Sequence, residues 1–142
     1  MLTKVLLVDD EKEFLDLMGE RMTARGMEVK KALSAADAIR ITEEHSFDAI
    51  ILDLMMPEMD GIQVLKALRT KHPELQVILL TGHGSIEKGV EAMRQGAIDF
   101  IEKPADLEIL TEKIKKAQAR KMILVERKLE EEVREILIRK GW

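Results

Sequence analysis

The chain of 142 residues has no cysteine, so disulfide stapling of a small secreted fold is not suggested. It also lacks long hydrophobic runs. The longest, such as Val5 to Val8 and Val77 to Leu80, are four residues, far below the roughly 20 that a membrane span needs. There is no excess of positive charge: 23 Lys and Arg stand against 27 Asp and Glu, net -4, which gives no global field for holding a polyanion. Internal repeats and low-complexity segments are absent. Met1 leads into a strand-like run with no basic n-region or cleavage site, so a cytoplasmic location is expected and no membrane partner. What is present is 46% hydrophobic and 35% charged residues, enough for one packed core under a solvated surface.

Apolar β-branched runs alternate five times with amphipathic stretches of helical length, the pattern of βα units around a parallel sheet. The strands are expected at Lys4 to Asp9, Met27 to Ala32, Phe47 to Asp53, Leu75 to Thr81 and Ile98 to Glu102. Val5-Leu6-Leu7-Val8, Ala49-Ile50-Ile51-Leu52 and Val77-Ile78-Leu79-Leu80 are apolar on both faces, as interior parallel strands covered on both sides must be. Met27-Glu28-Val29-Lys30 alternates and is placed at an edge. The fold class is therefore α/β, a doubly wound five-stranded parallel sheet. Phe14, Leu15, Met18 and Met22 form one helical stripe and Ile86, Val90, Met93 and Ala97 another, both read as core packing.

From Ala105 to Lys140 there is no Gly or Pro, and Ala, Leu, Glu, Lys and Arg dominate, so an extended C-terminal helix is expected. Leu107, Leu110, Ile114 and Ala117 share one side. Met122, Val125, Leu129, Val133 and Ile136 share another, rotated by roughly 80°, and on a straight helix would point away from the core. The charge changes as well, from 13 basic and 19 acidic side chains in residues 1–104 to 10 and 8 in residues 105–142. The expected division is a domain over residues 1–119 and a helical extension over 120–142, which pairs with a second copy or a partner through that stripe.

In a doubly wound sheet, ligands bind beyond the carboxyl ends of the strands, where strand order reverses. Asp9 and Asp10 end the first strand, Asp53 the third and Thr81 the fourth, while Lys103 follows the fifth. All five fall on one rim. Three carboxylates beside one ammonium leave a charge of about -2, which raises carboxyl pKa values or binds a cation. With oxygen ligands and neither Cys nor His in the cluster, Mg²⁺ or Mn²⁺ fits better than zinc. A central carboxylate could then attack a phosphoryl group, and Asp53 is the best-placed nucleophile.

Plainer roles compete for each residue. Asp10 before Glu11-Lys12-Glu13-Phe14 could be a helix N-cap, whereas Asp9 has no such capping role, and a second carboxylate at a buried strand end costs stability unless something binds it. Asp60-Gly61 supplies the turn chemistry of the loop after Asp53. Taken singly, Thr81 reads as a cap or turn hydroxyl, Phe100 as core and Lys103 as a solvated loop charge. His45 and His72 read as surface residues at helix ends. Met55, Met56 and Met59 read as loop packing.

Four segments together resemble the response-regulator receiver domains of two-component signalling, most closely those of enhancer-binding transcription activators. They are Val8-Asp9-Asp10, the run Asp53-Leu54-Met55-Met56-Pro57-Glu58-Met59-Asp60-Gly61, Thr81-Gly82-His83-Gly84, and Phe100-Ile101-Glu102-Lys103-Pro104. The resemblance covers roughly residues 3–117, and Val90 to Phe100 carries the likeness to the activators. It implies a flavodoxin-like strand order 2-1-3-4-5. Further implied are a phosphoryl group taken by Asp53 from a sensor histidine kinase or phosphotransfer protein, and Mg²⁺ held by Asp10, Asp53 and the carbonyl of Met55, with Asp9 acting directly or through water. Lys103 would hold a phosphate oxygen beside a cis bond to Pro104. Thr81 would donate its hydroxyl to the phosphate while Phe100 turns inward, and Met55 and His83 would tune phosphate lifetime. Such a chain is a switch rather than a turning-over enzyme. An aspartyl-phosphate phosphatase needs a second carboxylate two positions after its nucleophile, and Met55 stands there. A scaffold that never takes phosphate would show loss of an acidic or Lys residue, and none is lost. Direct DNA binding lacks a domain to do it.

Overall fold

The computed structural model describes residues 2–56, 60–82 and 86–141. Among these, five strands alternate with five helices: β1 (Lys4–Val8), α1 (Lys12–Ala24), β2 (Glu28–Ala32), α2 (Ala35–Glu44), β3 (Ala49–Asp53), α3 (Gly61–Lys71), β4 (Val77–Thr81), α4 (Ile86–Arg94), β5 (Asp99–Glu102) and α5 (Leu107–Arg139). Each strand falls within two residues of its expected span. The strands form one sheet in the order β2-β1-β3-β4-β5, with every pairing parallel. This is the doubly wound sheet read from the sequence.

Because successive side chains on a strand point to opposite faces, each interior strand feeds two cores. Leu6, Val8, Ile50, Leu52, Val77 and Leu79 pack with Ala38 of α2, Val64, Leu65 and Leu68 of α3, and Ala92 of α4. Val5, Leu7, Ala49, Ile51, Ile78 and Leu80 pack with Leu15, Met18 and Met22 of α1, and Leu110, Ile114 and Ala117 of α5. β2 lies at an edge as expected, with Glu28, Lys30 and Lys31 exposed.

The α4 stripe departs from its reading. Ile86, Val90 and Met93 are exposed, and the helix instead buries Gly89 and Ala92. Ala97, just past the helix, is buried as expected. A Cβ on Gly89 would lie 3.2 to 3.3 Å from three carbons of the Phe100 ring, so the small residues let α4 come down on β5 and leave the larger stripe outside. The start of α3 shows the same close approach. Gly61 opens α3 where a Cβ would sit 2.6 Å from the Leu54 Cα, and Asp60 caps the helix by accepting the Ile62 N–H at 2.9 Å.

α5 is one unbroken helix of 33 residues, about 50 Å long at 1.5 Å per residue. Asp106 caps it, accepting from the Glu108 N–H. Its inward stripe ends at Ala117. Two polar contacts carry the attachment slightly further: Thr3 Oγ1 donates to Gln118 Oε1 at 3.1 Å, and Lys121 Nζ to the Phe47 carbonyl at 2.6 Å. From Met122 onward every described residue is exposed, Met122, Val125, Leu129, Val133 and Ile136 among them. Among the described residues, no helix is long and apolar enough to cross a membrane.

Candidate functional site

Strand order reverses between β1 and β3, the two central strands whose neighbours leave in opposite directions. The register aligns their ends: Val8 pairs with Leu52, so Asp9 and Asp53 follow side by side. Asp53 in turn pairs with Leu80, and Thr81 with Glu102, which sets Thr81 and Lys103 on the same rim. One oxygen from each of Asp9, Asp10 and Asp53 lies within 4.8 Å of the others. The acids expected together are together.

Asp9 is 1% exposed and Asp53 5%, while Asp10 faces solvent. Lys103 Nζ donates to Asp9 Oδ2 at 2.9 Å and stands 3.6 Å from Asp53 Oδ2. One ammonium therefore bridges two buried carboxylates. The bond from Lys103 to Pro104 is cis, as the resemblance implies. Asp53 Oδ1 accepts the Met55 N–H at 3.2 Å, and Met55 bridges to Asp60 across the loop, which fixes the backbone just beyond the acid.

The competing reading of Asp10 as a helix cap does not hold. Glu11 is the N-cap of α1 and makes no side-chain cap bond, and Asp9 Oδ1 accepts the Glu11 N–H at 3.0 Å. Asp10 is not the cap. Asp9 thus has a structural partner on each oxygen, the backbone on Oδ1 and the ammonium on Oδ2.

Electrostatics follow from this crowding. Burial, together with the charges of Asp9 and Asp10, pushes the Asp53 carboxyl up to about 6, against the pull of the Met55 N–H and Lys103. Burial works against the Lys103 ammonium, but the Asp9 hydrogen bond and the charges of Asp53 and Asp9 outweigh it and hold the group above its ordinary value. The net charge of the three acids and one lysine is -2 when all are ionised. A hard divalent cation fits this oxygen-only donor set, because it would replace the solvation that Asp53 loses on burial.

Thr81 is 2% exposed, and its Oγ1 reaches the Ile101 carbonyl at a long 3.4 Å. The hydroxyl is held loosely. Phe100 is half-buried against α4 and the core on the α2, α3 and α4 side of the sheet. Met55 is exposed, and its sulfur receives Lys88 Nζ at 3.2 Å, a contact with no sequence signal. His83 lies outside the described residues, as do Pro57, Glu58, Met59 and Gly84. His45 is exposed at the end of α2, as expected. His72, expected at the surface, ends α3 half-buried with its Nε2 enclosed.

Residues 5–115 match the response regulator receiver domain family. The chain is 41% identical over 110 residues to the transcriptional regulatory protein GlrR of Escherichia coli, covering 78% of this chain and 25% of that protein. It is 38% identical over 110 residues to the response regulator protein FleR of Pseudomonas aeruginosa, covering 78% of this chain and 23% of that one. It spans about a quarter of the length of these curated relatives. A response regulator receiver domain protein from Clostridium thermocellum superposes with a TM-score of 0.83 at 34% identity, covering 87% of this chain and 99% of that structure. NtrX from Brucella abortus gives 0.84 at 32% identity over 90% of this chain and 30% of its own. Matched over residues 5–115 and folded as that family's solved members are, the chain belongs to the response-regulator receiver domains.

Proposed function

We propose that the protein is a phosphorylation-driven switch in which Asp53 accepts a phosphoryl group from the phosphohistidine of a sensor kinase or phosphotransfer protein. The observation that carries this reading is the convergence of Asp9, Asp10 and Asp53 within 4.8 Å beside Lys103. An Asp53 oxygen forms the new O–P bond as the donor's N–P bond breaks and its electron pair returns to the imidazole. Asp9, Asp10, Asp53 and the Met55 carbonyl would hold Mg²⁺, which neutralises charge on the transferring oxygens when bound. Lys103 moves from Asp9 to a phosphoryl oxygen. Thr81 exchanges its long contact to Ile101 for the phosphate, and Phe100, already half-buried, turns further inward beside α4. Met55 and His83 govern how long the phosphoryl group survives. The chain catalyses only its own phosphorylation and slow dephosphorylation. A cytoplasmic location suits that chemistry.

Residues 1–119 form the switch, and residues 120–142 are an extension that pairs two copies. At 100° per residue, Glu126 and Glu130 flank one side of the exposed stripe, and Lys121, Lys128 and Arg139 flank the other together with Glu132 and Glu135. Two parallel helices would therefore set the purely acidic side against the side that holds the bases, whereas antiparallel ones would oppose acid to acid. Ending the chain after Lys121 should lower the mass seen by light scattering. An unchanged monomer before and after overturns the pairing.

The switch itself is tested by incubating the protein with acetyl phosphate and Mg²⁺. The intact mass should rise by one phosphoryl group in the native chain and not in Asp53→Asn. No rise, or the same rise in both, overturns the assignment.

A further inference from the structure

The chain has three Phe and no Tyr, and one of those rings lies against the site. Phe14 sits in the first turn of α1, half-buried where its helix mates Leu15, Met18 and Met22 are fully buried. Its place in the apolar stripe could be filled by Leu or Ile. What Phe adds is a face. The Lys103 ammonium stands 4.7 Å from the ring centroid, within the range at which a cation is drawn to the ring quadrupole. The same ammonium is 2.9 Å from Asp9 Oδ2 and 3.6 Å from Asp53 Oδ2, and its side chain is 25% exposed.

These three partners differ in what they demand of the lysine. Asp9 takes one N–H of the ammonium and a phosphoryl oxygen on Asp53 would take another, so the group must shift its position between oxygens that stand in different places. The ring attracts the charge as a whole and leaves the donors free. It also cannot ligate a metal, so it stays in place while the carboxylates change partners.

We propose that Phe14 is a positioning residue for Lys103: its ring holds the ammonium beside Asp53 while the hydrogen bond to Asp9 is exchanged for one to the incoming phosphoryl group. The proposal rests on Asp53 being the phosphoacceptor.

The test compares Phe14→Leu, which keeps apolar bulk and removes the quadrupole, with Phe14→Tyr, which keeps both. In metal-free protein the Lys103 Hε resonances should be shifted by the ring current in the native chain and in Phe14→Tyr, and should return to ordinary positions in Phe14→Leu. With saturating Mg²⁺, the rate constant for phosphorylation by acetyl phosphate should fall about 3- to 10-fold in Phe14→Leu and stay within about twofold in Phe14→Tyr. Urea midpoints, measured beside the rates, report any loss of fold. A native rate in Phe14→Leu with the ring-current shift lost overturns the proposal, as does equal slowing in both variants, which is the mark of packing alone. If the native chain takes no phosphoryl group although its Lys103 signals carry the shift, the Asp53 reading fails, and the proposal falls with it.

Discussion

Asp53→Asn should make the metal-free protein more stable, although it removes the residue on which the proposed function depends. Asn keeps the shape and an acceptor for the Met55 N–H but cannot ionise. The Asp53 carboxyl stands at about 6 in the folded chain against an ordinary value of 3.8, a difference of about two units, or about 3 kcal/mol at 1.36 kcal/mol per unit. The sign follows from linkage. A carboxyl whose folded pKa is raised binds its proton more tightly in the native state, so the native state holds more protons between about pH 4 and 6. Stability from this group is greatest below that window, falls as pH rises through it, and stays low above it. Urea unfolding in EDTA at pH 8, 6 and 4.5 should therefore show Asp53→Asn ahead by up to about 3 kcal/mol at pH 8, with the gap closing toward pH 4.5. For a chain of this size that is a rise of about 10 °C in melting temperature. Adding Mg²⁺ at pH 8 should raise the native midpoint and leave the variant's almost unchanged. Equal midpoints at pH 8 in EDTA, or a gap that does not vary with pH, would refute the reasoning.

Lys103→Met leaves Asp9, 1% exposed, without its ion partner and should cost about 2–3 kcal/mol, of which the double variant with Asp9→Asn recovers part in a double-mutant cycle. Gly61→Ala brings a Cβ to 2.6 Å from the Leu54 Cα and 2.7 Å from its carbonyl oxygen, both backbone atoms, and should lower stability by about 2 kcal/mol or more. Gly82→Ala, with nothing within 4 Å, should unfold at nearly the native urea concentration. Gly89→Ala gains about 1 kcal/mol of helix propensity but meets the Phe100 ring at 3.2 Å. The net gain should fall well short of that figure, and the Phe100 ring signals should move in NMR spectra; a full gain with an unmoved ring contradicts the contact.

The sequence by itself determined the architecture, because that information is periodic and local. Runs apolar on both faces require interior strands, and alternation with helical stripes requires a doubly wound sheet. Strand ends bearing Asp9, Asp53 and Thr81 required a polar rim, and the register brought those ends level. The long α5 and its two stripes were equally legible, since a Gly- and Pro-free run keeps one helical phase throughout.

Tertiary structure alone decided which of two neighbouring stripes faces the sheet. On α4, Gly89 and Ala92 lie about 100° from Ile86, Val90 and Met93. Hydrophobicity favours the larger set, but contact with Phe100 on β5 admits only small residues. It likewise decided that Asp9 rather than Asp10 takes the backbone N–H at the start of α1, because a one-residue difference in a turn moves a carboxylate from solvent to core. The ring of Phe14 under Lys103 joins positions 89 residues apart, and only folding brings such a pair into contact. Spacing along a chain records which face a side chain occupies; the group that meets it there is set by how the elements pack.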